Sequence, residues 1–252
     1  MVRQGGGDLD EISFRIFRFD PSRDAEARYQ LYRIRPEPGL TVLSALVNLR
    51  EEQDGSLAFR ASCRSGICGS DAMLINGRAR LACKTQVAEA AGDGTVTLEP
   101  LRGFPVLKDL VVDQSDFWEK LVRVKPWLIP GPEPAPERER LMRLPAQQFD
   151  ELSRASDCIF CACCYAECPM EGRHRAYLGP AALVKAYRFE ADPRDAGSAE
   201  RRGALDHPDG VWRCHHVFRC TEACPKEIDA AWAIQQLQRR LAARHLRLKG
   251  DA

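Results

Sequence analysis

The chain has 252 residues, of which 44% are hydrophobic and 29% are charged, and its formal net charge is +1. This length allows about two domains, and the balanced charge gives no electrostatic basis for nucleic acid as a partner. No run approaches the ~18 apolar residues of a membrane span, and the first ten residues lack the pattern of a targeting leader. We therefore expect a reducing, cytoplasm-like compartment, where 11 cysteines indicate metal sites rather than disulfides.

The first part of the chain predicts a small α+β domain. Polar and apolar side chains alternate over residues 11–20 and again over residues 29–35, which is the period of a strand. Thr41 is expected to cap a helix that runs to about Glu51, because apolar residues then recur at helical spacing. Three more short strands are expected at residues 72–75, 80–82 and 95–99.

The second part predicts helices after a proline-rich linker. Six prolines fall within residues 125–145, a composition typical of an extended connector. Pro180 is expected to open a helix that runs to about Ala191, and Asp229 is expected to cap a last helix that runs to about Leu246. The predicted division is a domain of residues 1–110, a connector of residues 111–145 and a helical domain of residues 146–252.

A dense run of cysteines follows the linker. Cys158, Cys161, Cys164 and Cys168 follow the spacing C-x2-C-x2-C-x3-C-P, which binds an iron–sulfur cluster in bacterial-type ferredoxins. In such a run the first three cysteines hold one cluster and the fourth reaches a second cluster, so the motif predicts a matching run. Cys163 has no place in this spacing, and we interpret it as a small buried thiol.

The matching run begins at Cys214 and has valine, Val217, in its second cysteine position. A cube that lacks one ligand loses that iron, so counting predicts one [4Fe–4S] and one [3Fe–4S] cluster, with Val217 facing the empty corner of the latter. Structural zinc is the alternative, but zinc sites are usually built from paired C-x2-C units with four ligands per metal. The crossover rule gives two ligand sets: Cys158, Cys161, Cys164 and Cys224 for [4Fe–4S], and Cys168, Cys214 and Cys220 for [3Fe–4S].

A third group of candidate ligands lies in the first domain. Cys63, Cys68, Asp71 and Cys83 follow the plant-type C-x4-C-x2-C…C spacing, with aspartate in the third position. This pattern predicts a [2Fe–2S] cluster in which a carboxylate, a harder donor than thiolate, replaces one cysteine. The alternative is that Asp71 is a loop residue and that water or another group completes the iron.

These motifs together resemble the iron–sulfur subunit of succinate dehydrogenase and fumarate reductase, the respiratory complex II family. The resemblance covers nearly the whole chain. It rests on these segments: Cys63-Arg-Ser-Gly-Ile-Cys-Gly-Ser-Asp71, Lys108-Asp-Leu-Val-Val-Asp113, Lys125-Pro-Trp127, Cys158-Ile-Phe-Cys-Ala-Cys-Cys164, Gly179-Pro180 with Ala186-Tyr-Arg188, and Cys220-Thr-Glu-Ala-Cys-Pro-Lys226.

The resemblance implies a β-grasp [2Fe–2S] domain followed by an α-helical ferredoxin domain. It also implies an oxidoreductase in which succinate is oxidised on a partner flavoprotein that carries FAD. Electrons would then pass through the [2Fe–2S], [4Fe–4S] and [3Fe–4S] clusters to quinone at a membrane-anchor subunit that often carries haem b. The chain would be peripheral, at the cytoplasmic face of a prokaryotic inner membrane, with no membrane span of its own.

The expected surroundings of the [3Fe–4S] cluster and the quinone include Pro169, His215 and Val217. His215 matches a family histidine near quinone, but the tryptophan that many members have after the first Cys-Pro is absent here. Asp71 favours the succinate-oxidising direction, since aspartate occurs at that position in some succinate dehydrogenases. The alternatives are a fumarate reductase subunit that works in reverse and a stand-alone electron carrier.

Overall fold

The computed structural model describes residues 11–92, 94–131 and 146–250. These residues divide into two compact units, with the boundary between Asp113 and Gln114. The first ten residues and the linker prolines from residue 132 onward lie outside the described residues. None of the described helices is both long enough and apolar enough to cross a membrane.

The first unit is built on a five-stranded mixed sheet and a helix. The sheet has the order β2-β1-β5-β3-β4, in which β1 and β5 are parallel and the other neighbours are antiparallel. A separate two-stranded sheet pairs β6 with β7. The bounds are β1 (Ile12–Arg18), β2 (Arg28–Ile34), α1 (Val42–Glu52), β3 (Ala72–Ile75), β4 (Arg78–Leu81), α2 (Val87–Ala90), β5 (Thr95–Glu99), β6 (Val106–Lys108) and β7 (Val111–Val112).

The alternation of apolar and polar side chains predicted for the first strand is present in β1, where the apolar side chains face the core. Ile12, Phe14 and Ile16 of β1 are all buried, and the side chains between them are not. Thr41 caps α1 as predicted, because its Oγ1 accepts a hydrogen bond from the Ser44 N–H at 3.1 Å. The strand predicted at residues 80–82 differs from the observed one, because β4 begins at Arg78 and ends at Leu81.

The second unit consists of helices packed around one core. The α6–α9 pair forms its centre, and Leu183, Ala186, Val211 and Ile234 are completely buried there. Asp229 caps α9 as predicted, because its Oδ1 accepts from the Trp232 N–H at 3.0 Å. The bounds are α3 (Ser115–Arg123), α4 (Ala146–Ser156), α5 (Cys163–Ala166), α6 (Gly179–Glu190), α7 (Ser198–Leu205), α8 (Arg219–Glu222) and α9 (Ala230–Gly250).

Helix α3 lies inside the range predicted as a connector. It packs on α6, and Leu121 and the following Val124 are buried in the core of the second unit. The compact second unit therefore begins at Gln114, well before the predicted residue 146. The α+β class is confirmed: a mixed sheet in the first unit precedes helices in the second.

Candidate iron–sulfur sites

The loop after α1 is shaped to receive a thiolate. The backbone N–H groups of Ser65, Ile67 and Cys68 point at Cys63 Sγ, with N···S distances of 3.4, 3.3 and 3.2 Å. These hydrogen bonds lower the pKa of the Cys63 thiol to about 6. Because the thiolate is the form that binds metal, the loop backbone prepares this sulfur for iron.

A glycine allows this loop to close around the sulfurs. Gly66 has a φ of +71°, and a Cβ there would lie 2.9 Å from Lys84 Cδ. Any other residue would be strained in this conformation and would also clash with the lysine side chain. The Gly66 N–H also points to the Cys83 sulfur, which ties the loop to the remaining candidate ligands.

The β3–β4 hairpin brings Asp71 and Cys83 together. Asp71 precedes β3 and Cys83 follows β4, and the first pair of the hairpin joins Ala72 to Leu81. Asp71 is only 2% exposed, and its Oδ2 accepts from the Cys83 N–H at 2.5 Å. Burial and the neighbouring Asp71 carboxylate raise the pKa of the Cys83 thiol to about 12. The structure thus places all four predicted [2Fe–2S] residues in one region, with the carboxylate beside a cysteine.

The two cysteine runs of the second unit have the same backbone conformation. In the first run, Phe160 and Ala162 have φ of 55° and 62° on either side of Cys161. In the second run, the residues on either side of Val217 have φ of 52° and 66°. A four-residue helix then begins in each run, α5 in the first and α8 in the second. Val217 therefore occupies the place in the second run that Cys161 occupies in the first.

One cavity of the second unit contains the predicted [4Fe–4S] ligands of both runs. Its lining also includes Pro225 and Lys226, which directly follow the last ligand. Cys163 is not part of the lining, and it is fully buried, as expected for a thiol that packs in the core. The four thiols that meet in this cavity are Cys158, Cys161, Cys164 and Cys224.

A second cavity contains the predicted [3Fe–4S] ligands. It encloses about 360 Å³, part of which is open to solvent. Pro169, His215 and Val217 line it, and Val217 is half-exposed. The three thiols that meet there are Cys168, Cys214 and Cys220.

Sequence reasoning missed a buried polar network next to this cavity. Lys120 on α3 donates to Glu171 Oε2 at 2.9 Å, to the Tyr165 hydroxyl at 2.9 Å and to Asp116 Oδ2 at 2.9 Å. Burial raises the pKa of Glu171 to about 7, although the Lys120 ammonium acts in the opposite direction. Nothing local in the sequence pairs a lysine in the predicted connector with a glutamate after the first Cys-Pro.

A second buried cation lies near the first cavity. Lys185 on α6 donates to the carbonyl oxygens of Ala155 and Ser156, at 3.4 and 3.1 Å. Its Nζ lies 5.0 Å from the centre of the Phe160 ring. Burial lowers the pKa of Lys185, and the charge of the nearby Cys158 opposes that shift. A lysine in an apolar helix gives no sign in the sequence that it lies beside a cysteine run.

The donor set fits iron–sulfur clusters. In both units, backbone N–H groups point at cysteine sulfurs, as they do toward Cys63, Cys158 and Cys168. Such hydrogen bonds to sulfur are one of the means by which a protein tunes a cluster. Each cavity in the second unit also takes thiols from both runs, which matches the crossover expected of a two-cluster ferredoxin.

Comparison with known proteins agrees with this geometry. Residues 13–119 match a family model described as a 2Fe-2S iron-sulfur cluster binding domain, and residues 154–228 match one described as a 4Fe-4S dicluster domain. Both descriptions name iron–sulfur domains, which contradicts the zinc alternative. The second model also bears out the pairing of two clusters in the helical domain, while its description leaves the iron count at Val217 untested.

Similar proteins cover almost the whole chain. A fumarate reductase iron-sulfur subunit from Mycobacterium tuberculosis is 42% identical over 90% of this chain and 92% of its own length. A succinate dehydrogenase iron-sulfur subunit from Coxiella burnetii is 37% identical over 90% of this chain and 95% of its own length. A chain of the Mycobacterium smegmatis Sdh1 complex in the apo form has a TM-score of 0.81 at 28% identity, covering 93% of this chain and 96% of that chain. The protein therefore belongs to the iron–sulfur, electron-transferring subunits of succinate dehydrogenase and fumarate reductase.

Proposed function

We propose that this subunit carries electrons between an FAD-containing flavoprotein subunit and quinone at a membrane-anchor subunit. The observation that carries the proposal is the pair of cavities in the second unit, each lined by thiols of both cysteine runs. One-electron transfer is the chemistry that clusters in such sites supply when bound. The chain's own residues hold the clusters, shield them from water and set how stable their reduced forms are.

The proposed ligands follow the geometry. Asp71 would bind through its carboxylate, whose Oδ2 already accepts the Cys83 N–H, so Oδ1 is the atom available for iron. Val217 supplies no donor at the position that Cys161 fills in the other run, which supports a [3Fe–4S] cluster. The full assignment is Cys63, Cys68, Asp71 and Cys83 for [2Fe–2S], Cys158, Cys161, Cys164 and Cys224 for [4Fe–4S], and Cys168, Cys214 and Cys220 for [3Fe–4S].

Exposed apolar side chains support two different partners. Ile67 is 62% exposed on the [2Fe–2S] loop, where we place the flavoprotein. Val217 and Phe218 are 50% and 51% exposed beside the second cavity, where we place the membrane anchor and its haem. In each case the apolar surface lies next to a proposed cluster, where a partner would have to approach closely. The proposed location is the cytoplasmic face of a prokaryotic inner membrane, with attachment through the anchor.

The proposed quinone surroundings are Pro169 and His215, which line the second cavity with Val217. An imidazole at this position can donate a hydrogen bond to quinone or transfer a proton. The nearest residues after Pro169 are Met170, which lines the cavity, and Glu171, which is buried in the polar network. In this chain, the segment that carries tryptophan in many family members contacts α3, through the hydrogen bond from Lys120 to Glu171.

The proposed direction is succinate oxidation, on the basis of Asp71. Fumarate reduction is the second candidate, and the 42% sequence identity to a subunit named for that reaction favours it. The two directions differ in the potentials of the clusters and of the quinone rather than in the ligand sets. Rates of succinate-dependent quinone reduction and of quinol-dependent fumarate reduction, measured on one preparation, distinguish them.

The test is EPR spectroscopy of the complex purified with its flavoprotein and anchor. We expect a three-iron signal in the oxidised state and [2Fe–2S] and [4Fe–4S] signals after reduction. Asp71→Asn keeps an oxygen for the Cys83 N–H but removes the anionic donor, so we expect it to lose or change the [2Fe–2S] signal alone. Two [4Fe–4S] signals would contradict the assignment at Val217, and a monomer that reduces a soluble acceptor without flavoprotein would contradict the proposed complex.

A further inference from the structure

Lys185 is a buried lysine whose side chain meets the end of a neighbouring helix. It belongs to α6 and is only 8% exposed. Its Nζ donates to the carbonyl oxygens of Ala155 and Ser156, at 3.4 and 3.1 Å. These are the last two carbonyls of α4, where intrahelical N–H partners run out and a cation is favoured. The lysine is therefore held just before the first cysteine run, which begins at Cys158.

The same side chain also contacts the first run itself. Its Nζ lies 5.0 Å from the centre of the Phe160 ring, within the range of a cation–π contact. Phe160 stands between Cys158 and Cys161, has positive φ, and lines the cavity proposed for the [4Fe–4S] cluster. Ala181, one helical turn before Lys185 on α6, lines the same cavity. The lysine nitrogen is therefore fixed from two sides, beside this cavity.

Lys185 has no carboxylate partner among the residues that the structure describes. Two other buried cations of the second unit are paired, Lys120 with Glu171 and Arg201 with Asp195. A buried charge without an opposite charge costs free energy, and two carbonyls and an aromatic ring offset that cost only in part. Negative charge from the four thiolates of the proposed [4Fe–4S] cluster would complete the balance.

Other charged groups near this cavity are more exposed or already paired. Lys226 lines the cavity but is only half-buried, so water screens its charge. Arg188, on the next turn of α6, pairs with Asp192 at 2.7 Å. Asp157, which directly precedes the run, is exposed. Lys185 is therefore the group here whose charge is neither screened by water nor neutralised by a carboxylate.

We propose that the Lys185 ammonium raises the reduction potential of the [4Fe–4S] cluster, acting through space without touching it. The proposal rests on the proposed function, which assigns that cluster to the first cavity. Reduction adds one electron, supplied from the flavoprotein side, to a cluster that already has four thiolate ligands. The reduced form is the more negative one, so a fixed positive charge in the protein interior stabilises it more than the oxidised form.

The test is a redox titration of the purified complex, followed through the EPR signal of the reduced [4Fe–4S] cluster. Lys185→Met removes the charge and keeps an unbranched apolar chain in the same space. We expect the ratio of reduced to oxidised cluster at a fixed potential to fall about tenfold, which lowers the midpoint by ~59 mV for a one-electron couple. The three-iron midpoint should change less, because none of the residues that Lys185 contacts lines the second cavity.

Two variants serve as controls. Lys185→Arg keeps a positive charge, so its [4Fe–4S] midpoint should stay close to that of the unchanged protein. Lys125→Met removes a lysine of the same unit that pairs with Glu200 at the surface, and it should not shift the midpoint. The proposal is overturned if Lys185→Met has the midpoint of the unchanged protein, or if Lys185→Arg shifts it as far as Lys185→Met does.

Lys185→Gln separates the charge from the hydrogen bonds at the end of α4. Glutamine is neutral but retains N–H donors for the carbonyls of Ala155 and Ser156. We expect its midpoint to fall as in Lys185→Met. A midpoint that falls in Lys185→Met but not in Lys185→Gln would overturn the proposal, since hydrogen bonding rather than charge would then set the potential.

The proposal stays testable if Lys185→Met does not hold the cluster. The Arg and Gln variants then decide it, because both fill the site with a donor and only one of them is charged. Equal [4Fe–4S] midpoints in those two variants would overturn the role of the charge. Absence of any [4Fe–4S] signal in the unchanged protein would instead overturn the cluster assignment under the proposed function, which separates the two failures.

Discussion

At the scale of single residues, the second unit contains the same local structure twice with one changed donor. Cys161 and Val217 both sit between two residues of positive φ, ahead of a short helix. Non-glycine residues rarely have positive φ. Because they do so at matching positions in both runs, both loops need this backbone conformation. Under the proposed assignment, replacing a thiol by an isopropyl group leaves the second loop with one iron fewer than the first.

Val217→Cys should convert the three-iron cluster toward a four-iron cluster. A fourth thiolate would complete the cube and add negative charge, which disfavours reduction, so we expect a lower potential. EPR of the oxidised complex should show loss of the three-iron signal, with a new [4Fe–4S] signal after reduction. Val122→Cys is the control, since Val122 is 58% exposed on α3 and lines neither cavity. A Val217→Cys complex that keeps its full three-iron signal would contradict the proposed position of the side chain.

Residue patterns predict the proposed ligand sets because ligand spacing is a local property. The crossover of Cys168 and Cys224 between cavities follows from a motif that can be read within each run, and the structure brings together the thiols that it predicts. The buried pair of Lys120 and Glu171 could not be predicted in the same way. Nothing local in the sequence joins two residues that lie 51 positions apart.

At the scale of elements, two of the helices that the sequence missed, α3 and α7, have a charged residue on the buried face. Lys120 of α3 is 3% exposed, and Arg201 of α7 is completely buried. Arg201 donates to both oxygens of Asp195, at 2.5 and 2.9 Å, and to the Trp127 carbonyl at 2.8 Å. Because a charge interrupts the apolar stripe that marks a helix, these segments resemble exposed connectors until their partners are known. Helices α1 and α9 begin at capping residues, Thr41 and Asp229, and both were predicted.

Lys120→Met should strongly destabilise the second unit. It would leave the Glu171 carboxyl buried without its ammonium partner, and removal of one member of a buried pair costs about 3–5 kcal/mol. Chemical denaturation of the cluster-loaded protein measures the change. Lys125→Met is the matched control, because Lys125 pairs with Glu200 at the surface, with side-chain exposures of 37% and 48%, and such pairs contribute less than about 1 kcal/mol. Equal losses in the two variants would show that the buried network adds nothing.

At the scale of the whole molecule, the chain consists of two units that each have a complete set of candidate ligands. The first unit ends at Asp113, after the short β6–β7 sheet. Asp109 ties this end to the rest of the unit, because its carboxylate accepts from Arg18 Nε, Phe19 N–H and Ala58 N–H at 3.0, 3.0 and 2.9 Å. The predicted boundary at residue 110 keeps Asp109 but cuts off β7.

A fragment that ends at Asp113 should fold and bind its [2Fe–2S] cluster without the second unit. A fragment that ends at Lys108 should not, because the buried Arg18, which is 4% exposed, would lose a carboxylate partner. The backbone N–H groups of Phe19 and Ala58 would also lose their acceptor. Visible circular dichroism of the cluster and thermal unfolding of both fragments check this. Equal stability of the two fragments would mean that the hydrogen bonds accepted by the Asp109 carboxylate do not define the end of the unit.

Each cavity of the second unit is lined by thiols of both cysteine runs, and this arrangement affects how the clusters can be inserted. A factor that delivers preformed clusters cannot load one run and then the other, since each cavity takes sulfurs from both. Closing the long loop between the runs costs entropy once, and metal binding to either cavity then stabilises that closed state for the other. Maturation of this subunit should therefore be all-or-none in the second unit, and a cell short of iron would accumulate chains with both centres empty rather than chains with one filled.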